Sequence, residues 1–273
     1  MNILYCGDAN IKDGLLISIL SLLKNSNSEL HVYVLTARIK TPEKVYQPIP
    51  NQAIAYLEKI MKEKNVNNSI IKIDITILFE SNVPEANLKT IFTPCCMLRL
   101  YADEVSALPD KILYLDTDVI CRKNFRDFYD QDLSNYELAG VLDQYGKWFF
   151  HRSLIRFDYL NSGILLLNLK LIRETGLFKK CRKRCHSKKM FMPDQSSINK
   201  LVVSKIKCPA KFNEQGKLKV DTIFQHFTTN IRFFPWIHTL TVKPWQVEQM
   251  HQTLGLHEYD QILTKYKKIK INL

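Results

Sequence analysis

Residues 113–119 read Leu113-Tyr114-Leu115-Asp116-Thr117-Asp118-Val119, an apolar run that stops at two acidic residues. The run Lys111–Leu115 has the length and the β-favouring composition of a buried strand. Where such a strand passes into a loop, the carboxylates of Asp116 and Asp118 can turn toward one point. Two hard oxygen ligands so placed suit Mg²⁺ or Mn²⁺, usually shared with a substrate's phosphates. Because Asp is also common in solvated turns at strand ends, an ordinary turn is the alternative.

Strand-like and helix-like segments alternate before this acidic pair. Apolar periodicity predicts strands at 2–6, 30–36, 70–77 and 111–115, and helices at 13–24, 52–64 and 93–108. The alternation predicts an α/β protein whose parallel sheet has helices on both faces. Ligands bind at the carboxyl ends of the strands in such sheets. Asp8 follows the first strand and the acidic pair follows the fourth, so all three carboxylates are expected at that edge.

The pattern changes after Asp118. We expect strands at 137–143, 160–167, 206–212 and 222–227, and helices at 168–183 and 193–203. Beyond Gln246 one helical face carries the apolar residues Tyr259, Ile262, Leu263 and Tyr266. Neither an internal repeat nor a linker is evident. We therefore predict one domain over residues 1–245 and a helical, basic extension over 246–273.

Composition limits the possible classes of protein. The 273 residues are 46% hydrophobic and 24% charged, as in an ordinary globular protein, and no apolar run is long enough to span a membrane. The seven cysteines have no repeating spacing, which argues against a disulfide framework. We see no signal peptide at the start of the sequence. These features lead us to expect a cytoplasmic protein.

The net charge of +12 is concentrated in two clusters, at 179–189 and 265–270. Aromatic residues do not alternate with the basic residues of the first cluster, so a surface that stacks nucleic-acid bases is not expected. The second cluster is basic with apolar breaks, and it could rest on an anionic membrane surface. A solvated helix end explains it equally well.

Four other short segments have both an ordinary and a functional interpretation. A lone histidine such as His226 is usually a structural hydrogen-bonding residue, but with two carboxylates it forms a mixed set of ligands that suits Mn²⁺ better than Mg²⁺. Asp194-Gln195 follows Pro193 where a helix N-terminus favours acids without any catalysis. Asn161-Ser162-Gly163 interrupts an apolar strand, where a β-bulge is the simplest explanation. Lys243-Pro244-Trp245 places a cation beside a rigid aromatic turn.

In their order and spacing these segments resemble glycosyltransferase family 8, which includes glycogenin and bacterial lipopolysaccharide galactosyl- and glucosyltransferases. The resemblance covers residues 1–250. The matching segments are Gly7-Asp8-Ala9-Asn10, Arg99-Leu100, Leu113-Tyr114-Leu115-Asp116-Thr117-Asp118, Leu142-Asp143, Tyr159-Leu160-Asn161-Ser162-Gly163-Ile164-Leu165-Leu166-Leu167-Asn168-Leu169, Pro193-Asp194-Gln195, His226 and Lys243-Pro244-Trp245.

The resemblance implies a Rossmann-like fold of the GT-A type and a retaining transferase that moves a hexose, glucose or galactose, from a UDP-sugar to a glycan, lipid-linked or protein acceptor. It implies that Mn²⁺ (or Mg²⁺) is held by Asp116, Asp118 and His226, with Thr117 between the two acids. The other implied roles are donor binding by Asp8, Asn10, Arg99 and Asn161, and catalysis by Asp143, Asp194 and Gln195. Front-face displacement is favoured over a covalent intermediate on Asp194.

The sequence departs from the family pattern after the metal-binding histidine. Relatives carry His-x-x-Gly-x-x-Lys-Pro-Trp, whereas here Thr229 occupies the glycine position and Lys-Pro-Trp follows only at Lys243. Either Arg232 contacts the phosphates, or residues 233–242 are an inserted loop and Lys243 still reaches them. The intact Lys-Pro-Trp unit favours the second interpretation.

Two other functions remain open from the sequence. A scaffold or binding protein could retain the fold without catalysis, and a metal-dependent nucleotidyltransferase or phosphohydrolase also uses paired acids. His226, Asp194 and Gln195 disfavour the scaffold. Asn161-Ser162-Gly163 and Lys243-Pro244-Trp245 disfavour the nucleotidyltransferase or phosphohydrolase, because a generic phosphohydrolase needs neither segment.

Overall fold

A seven-stranded sheet forms the centre of the structure, a computed structural model that describes residues 1–90, 93–144, 158–232 and 238–273, with only the backbone described at 230–232 and 238. The described strands are β1 (Asn2–Cys6), β2 (His31–Thr36), β3 (Ile39–Lys40), β4 (Val45–Tyr46), β5 (Ser69–Asp74), β6 (Lys111–Leu115), β7 (Val119–Cys121), β8 (Leu138–Leu142), β9 (Leu160–Asn168), β10 (Lys205–Cys208), β11 (Phe224–His226), β12 (Asn230–Arg232) and β13 (His238–Leu240).

Helices cover both faces of this sheet. The described α-helices are α1 (Lys12–Asn25), α2 (Asn51–Lys64), α3 (Thr76–Glu80), α4 (Arg126–Tyr129), α5 (Leu169–Thr175), α6 (Leu177–Ser187), α7 (Pro193–Leu201), α8 (Val247–Leu254) and α9 (Asp260–Ile269). A 3₁₀ helix, Pro94–Glu104, packs against α6 and α7. Strand side chains alternate between two cores: Ile3 and Tyr5 belong to the core with α1 and α2, and Leu4 to the core with the 3₁₀ helix.

The strand order of the sheet is β10-β8-β9-β6-β1-β2-β5. All neighbouring pairs run parallel except those made by β9, which is antiparallel to both β6 and β8. The central parallel strands β1 and β6 are buried on both faces, which explains their almost continuous apolar sequences. The expected mostly parallel α/β sheet with helices on both faces is confirmed.

Several predicted elements differ in type or length. The helix expected at 93–108 is present as a 3₁₀ helix over the shorter range Pro94–Glu104. The third strand ends at Asp74 instead of 77, because the Asp74 carboxylate accepts hydrogen bonds from the backbone N–H and hydroxyl of Thr76 and turns the chain. The helix expected at 168–183 is divided into α5 and α6 at Gly176, whose φ of 66° ends α5. The β-bulge considered at 161–163 agrees with the pairing of β9 with β8: Gly140 pairs with Leu165 and Leu142 with Leu160, which leaves residues 161–164 of β9 opposite a single residue of β8.

The C-terminal helix packs onto the domain through the predicted apolar face. Ile262 and Leu263 are buried, and the hydroxyl of Tyr266 donates to a carboxylate oxygen of Asp13 in α1 at 2.7 Å. The boundary proposed after residue 245 stays a prediction. Among the described residues, no helix has both the length and the apolar character needed to cross a bilayer.

We expect Leu263→Ala to lower the free energy of unfolding by about 2–5 kcal/mol, because it leaves a cavity beneath α9. Urea unfolding followed by circular dichroism measures this. The control is Ile271→Ala, since Ile271 is 86% exposed and its truncation should change stability by less than about 0.5 kcal/mol. Equal stability of the two variants would show that α9 is not packed on the domain.

Candidate functional site

The reversed strand β9 gathers polar residues at the carboxyl edge of the sheet. Because β9 is antiparallel to its neighbours, its first residues lie where β6 and β8 end. The backbone N–H of Asp116 donates to the Gly163 carbonyl at 2.8 Å, and that of Asp143 donates to the Tyr159 carbonyl at 2.9 Å. Asn161 therefore lies between the two acidic strand ends. The sequence predicted Asp116 at this edge, and the reversal of β9 adds Asn161.

Asp116, Asp118 and His226 form a compact cluster at this edge. Strand β11 pairs with β7 so that His226 lies opposite Val119, directly after the acidic pair. The His226 Nε2 atom is 3.2 Å from Asp118 Oδ1 and 3.7 Å from Asp116 Oδ2. One ligand atom from each side chain lies within 4.8 Å of the others. Two carboxylate oxygens and one imidazole nitrogen form a suitable site for a hard divalent cation such as Mn²⁺.

Gly163 provides the space for this cluster. A Cβ atom at position 163 would lie 2.1 Å from Cε1 of His226 and 2.8 Å from Oδ2 of Asp116, which is closer than such atoms can approach. The absence of a side chain, and not backbone flexibility, is therefore what the position requires. Such close packing of an imidazole and a carboxylate against a glycine fits a cation-binding site better than a solvated turn.

Lys243 also reaches the acidic pair. Strands β12 and β13 pair in antiparallel fashion, so the chain leaves the site after His226 and returns to it before Lys243. The Lys243 ammonium lies 2.5 Å from Asp118 Oδ2 and donates to the Phe227 carbonyl at 2.8 Å. Burial alone would raise the pKa of Asp118, but Lys243 and His226 offset it and hold that pKa below its usual value. The side chain of Arg232 lies outside the described part of the chain.

Arg99 connects the acidic pair to Asp194. Its guanidinium donates to Asp116 Oδ1 at 2.8 Å and lies 3.3 Å from Asp194 Oδ2. It also packs over the ring of Tyr114, 4.0 Å from the ring centre, and the Tyr114 hydroxyl donates to Asp116. Since Arg99 is almost fully buried, its charge acts in a low-dielectric environment and fixes both carboxylates firmly.

A second buried group lies beside Arg99 and Asp194. It consists of Asp143, Asn161 and Gln195. Oδ2 of Asp143 accepts hydrogen bonds from the side-chain amides of Asn161 at 2.9 Å and Gln195 at 3.1 Å. The carbonyl oxygen of Gln195 accepts from the backbone N–H of Ser162 at 2.8 Å. The Ser162 hydroxyl donates to Asp194 at 3.1 Å. All three residues predicted as catalytic are therefore connected through one polar network.

Asn213 closes this network into a ring, and its role was not predicted from the sequence. Its amide nitrogen donates to Asn161 Oδ1 at 3.0 Å, and its Oδ1 lies 3.3 Å from Nδ1 of His226. An acceptor at Nδ1 favours the tautomer whose Nε2 lone pair faces Asp116 and Asp118. Because β10 is parallel to β8, it ends at the carboxyl edge of the sheet, and Asn213 follows five residues after its last residue, Cys208. The rule that ligands bind where parallel strands end would therefore have marked Asn213 as a candidate.

The remaining predicted donor-binding residues lie at neighbouring strand ends. Asp8 follows β1, which pairs with β6, and its carboxylate accepts hydrogen bonds from the backbone and side-chain amides of Asn10. Asp8 is buried, whereas Asn10 is exposed. Thr117 lies beside the start of α1, where a Cβ at Gly14 would come within 2.6 Å of its carbonyl oxygen.

The chain matches a family model with the description "Glycosyl transferase family 8" over residues 2–249. It is 26% identical to a lipopolysaccharide 1,3-galactosyltransferase of Salmonella typhimurium over 54% of its own length and 47% of the relative's. It is 30% identical to the glycosyltransferase GlyA of Streptococcus pneumoniae over 74% of the chain and 28% of that protein. It is 22% identical to a lipopolysaccharide 1,2-glucosyltransferase of Escherichia coli over 98% and 85% of the two lengths. The match thus spans about half or less of the length of the Salmonella typhimurium and Streptococcus pneumoniae relatives.

Solved structures show the same fold. A crystal structure of an active-site mutant of LgtC superposes with a TM-score of 0.71 at 20% identity, covering 98% of this chain and 95% of that one. A structure of the galactosyltransferase LgtC in complex with donor and acceptor sugar analogues superposes with a TM-score of 0.68 at 19% identity, covering 98% and 96%. The family model covers nearly the whole chain, and the implied Rossmann-like, GT-A type fold is confirmed. The chain belongs to glycosyl transferase family 8.

Proposed function

We propose that this chain is a retaining, metal-dependent hexosyltransferase that moves glucose or galactose from a UDP-sugar to an acceptor hydroxyl. The observation that carries the proposal is the cluster of Asp116, Asp118 and His226, with ligand atoms within 4.8 Å at the carboxyl edge of the sheet. A scaffold that had lost catalysis would have no need for this partly buried cluster of potential metal ligands.

Asp116, Asp118 and His226 would hold the cation, Mn²⁺ or Mg²⁺. The donor set fits, because two carboxylates and a neutral imidazole suit Mn²⁺, and Gly163 leaves room for the imidazole against Asp116. When bound, the cation would neutralise the charge that accumulates on the diphosphate as the bond to the sugar breaks. Asn213 would present Nε2 of His226 to the cation by accepting a hydrogen bond from Nδ1.

Lys243 would bind the diphosphate of the donor beside Asp118. The Lys243 side chain is 25% exposed and its ammonium already lies at the acidic pair, so it has access both to a carboxylate and to an incoming phosphate. This geometry supports Lys243 as a phosphate contact. Asp8 and Asn10, at the end of the neighbouring strand, would bind the uridine.

Arg99, Asn161 and Asp194 would contact the sugar of the donor, and Gln195 and Asp143 would lie nearest the reacting carbon and the acceptor. Asp194 is held by Arg99 at 3.3 Å and by Ser162 at 3.1 Å. A carboxylate with both partners in place is a weak nucleophile, which supports front-face displacement over a covalent intermediate. In that mechanism the leaving phosphate takes the proton of the acceptor hydroxyl.

The acceptor would be a glycan, a lipid-linked glycan or a protein, and the relatives named for lipopolysaccharide make a cell-surface glycan the leading class. A cytoplasmic location with peripheral membrane contact belongs to the same proposal. The exposed lysines of the C-terminal tail would meet an anionic surface; they are Lys265, Lys267, Lys268 and Lys270.

We expect UDP to raise the melting temperature of the protein only when Mn²⁺ is present, because the diphosphate needs the cation as a bridge to Asp116 and Asp118. Thermal-shift titration with UDP, GDP and ATP measures this, and Asp118→Asn should abolish the shift. No shift with any nucleotide would favour a non-catalytic scaffold. A preference for ATP would favour a nucleotidyltransferase.

Lys243→Ala should raise the KM for the UDP-sugar by about tenfold or more, because an ionic hydrogen bond to phosphate contributes about 1.5–3 kcal/mol. Steady-state kinetics at saturating acceptor measures it. The matched control is Lys265→Ala, which removes an exposed lysine of α9 that has no assigned role in donor binding. We expect its KM to be unchanged. An unaltered KM for Lys243→Ala would refute its assignment to the phosphates.

Asn213→Ala should weaken Mn²⁺ binding by about tenfold to a hundredfold, since the His226 ring would lose the partner that fixes its tautomer. Electron paramagnetic resonance of free Mn²⁺ measures the dissociation constant without an activity assay. The control is Asn199→Ala, which removes a partly buried amide that is bonded to the backbone of Leu160 and Gln195 and not to Asp116, Asp118 or His226. Equal loss of Mn²⁺ affinity in both variants would show that Asn213 only stabilises the fold and does not orient His226.

A further inference from the structure

A second cluster of metal-binding side chains lies at the junction of α8 and α9. His251 is in the last turn of α8, His257 is in the connecting loop, and Asp260 is the first residue of α9. His251 Nε2 lies 2.6 Å from Asp260 Oδ1, and His257 Nδ1 lies 3.2 Å from Asp260 Oδ2. The two imidazole rings stack with their centres 4.4 Å apart. One donor atom from each residue lies within 4.8 Å of the others.

The backbone on both sides of this cluster is fixed. Met250, next to His251, and Tyr259, next to Asp260, are both fully buried in the core. Gly255 ends α8 with a φ of 59°, and its N–H donates to the His251 carbonyl at 3.0 Å. The three donor side chains therefore start from an ordered loop, so binding a metal there would cost little ordering of the backbone.

The donor set differs from that at the acidic pair in a way that selects a different ion. Asp116, Asp118 and His226 offer two oxygens and one nitrogen, whereas His251, His257 and Asp260 offer two nitrogens and one oxygen. Imidazole-rich sets favour Zn²⁺ over the oxygen-preferring Mg²⁺ and Mn²⁺. The His257 side chain is 65% exposed and that of Asp260 is 46% exposed, so an ion has direct access from solvent.

We propose that His251, His257 and Asp260 form a Zn²⁺ site, with water in the remaining position, that joins α8 to α9. Ligation requires side-chain rotations that place one nitrogen of each imidazole and one oxygen of Asp260 around the ion. Both imidazoles already contact the Asp260 carboxylate, and the exposed side chains of His257 and Asp260 are able to rotate. A metal there would secure the start of α9. The residue just before α9, Tyr259, donates a hydrogen bond at 2.7 Å to Gln225, the residue before His226. Its structural effect would thus extend toward the acidic pair.

The test is equilibrium dialysis of the full chain against Zn²⁺ in the presence of saturating Mn²⁺ and UDP, which occupy the other cluster. We expect one bound equivalent of Zn²⁺ in the unmodified protein. His257→Gln and His251→Gln should each weaken this binding by tenfold or more. His186→Gln is the matched control, because His186 is another exposed histidine, bonded to the Val83 carbonyl, and its variant should bind Zn²⁺ normally.

Melting temperature supplies a second measurement that does not depend on dialysis. Zn²⁺ should raise the melting temperature of the unmodified protein and of His186→Gln, and leave that of His257→Gln unchanged. The proposal is overturned if the unmodified protein binds no Zn²⁺ under these conditions, or if His257→Gln binds it as tightly. Retention of Mn²⁺ binding by His257→Gln, measured separately, shows that the variant is folded and keeps the acidic pair.

Discussion

The concentration of negative charge at Asp116 and Asp118 is the constraint on which the rest of the site depends. Two carboxylates so close repel each other, and burial increases that repulsion. Arg99 offsets the charge of Asp116 at 2.8 Å, and Lys243 offsets that of Asp118 at 2.5 Å. Arg99 lies 17 residues before Asp116, whereas Lys243 lies 125 residues after Asp118, so the acidic pair organises both neighbouring and distant elements. A divalent cation would complete the same balance and leave Lys243 free to meet a phosphate.

The site is compact because strand β9 runs antiparallel to its neighbours β6 and β8. In a wholly parallel sheet, only residues that follow a strand lie at the carboxyl edge. Because β9 enters from that edge, Asn161, Ser162 and Gly163 begin a strand there and contact residues from both neighbours. The ring of hydrogen bonds from Asp116 through Asp194 and Asp143 to His226 follows from this reversal. Such a network fixes each side chain through its neighbours, which is how a rigid sheet preorganises catalytic groups.

Local pattern was sufficient to predict much of this architecture. The apolar runs gave β1, β2 and β6, and the position of Asp116 after a buried strand indicated the edge at which it lies. The resemblance to family 8 brought His226 to the acidic pair, which no local rule could do, because β11 pairs with β7 across about a hundred residues. Asn213 was missed because its role depends on the parallel pairing of β10 with β8. From the sequence, a β-bulge was the simplest explanation of the glycine at position 163. The sequence does not reveal the second reason, which is that the imidazole of His226 packs against Gly163 and leaves no room for a Cβ atom.

The most direct measurement is a crystal structure with Mn²⁺ and UDP, with the anomalous signal of manganese used to locate the ion. We predict a single strong peak about 2.0–2.3 Å from a carboxylate oxygen of Asp116, one of Asp118 and Nε2 of His226, with the diphosphate completing the coordination. A peak elsewhere, or a diphosphate bound at this edge with no ion between it and the acidic pair, would contradict the proposed site.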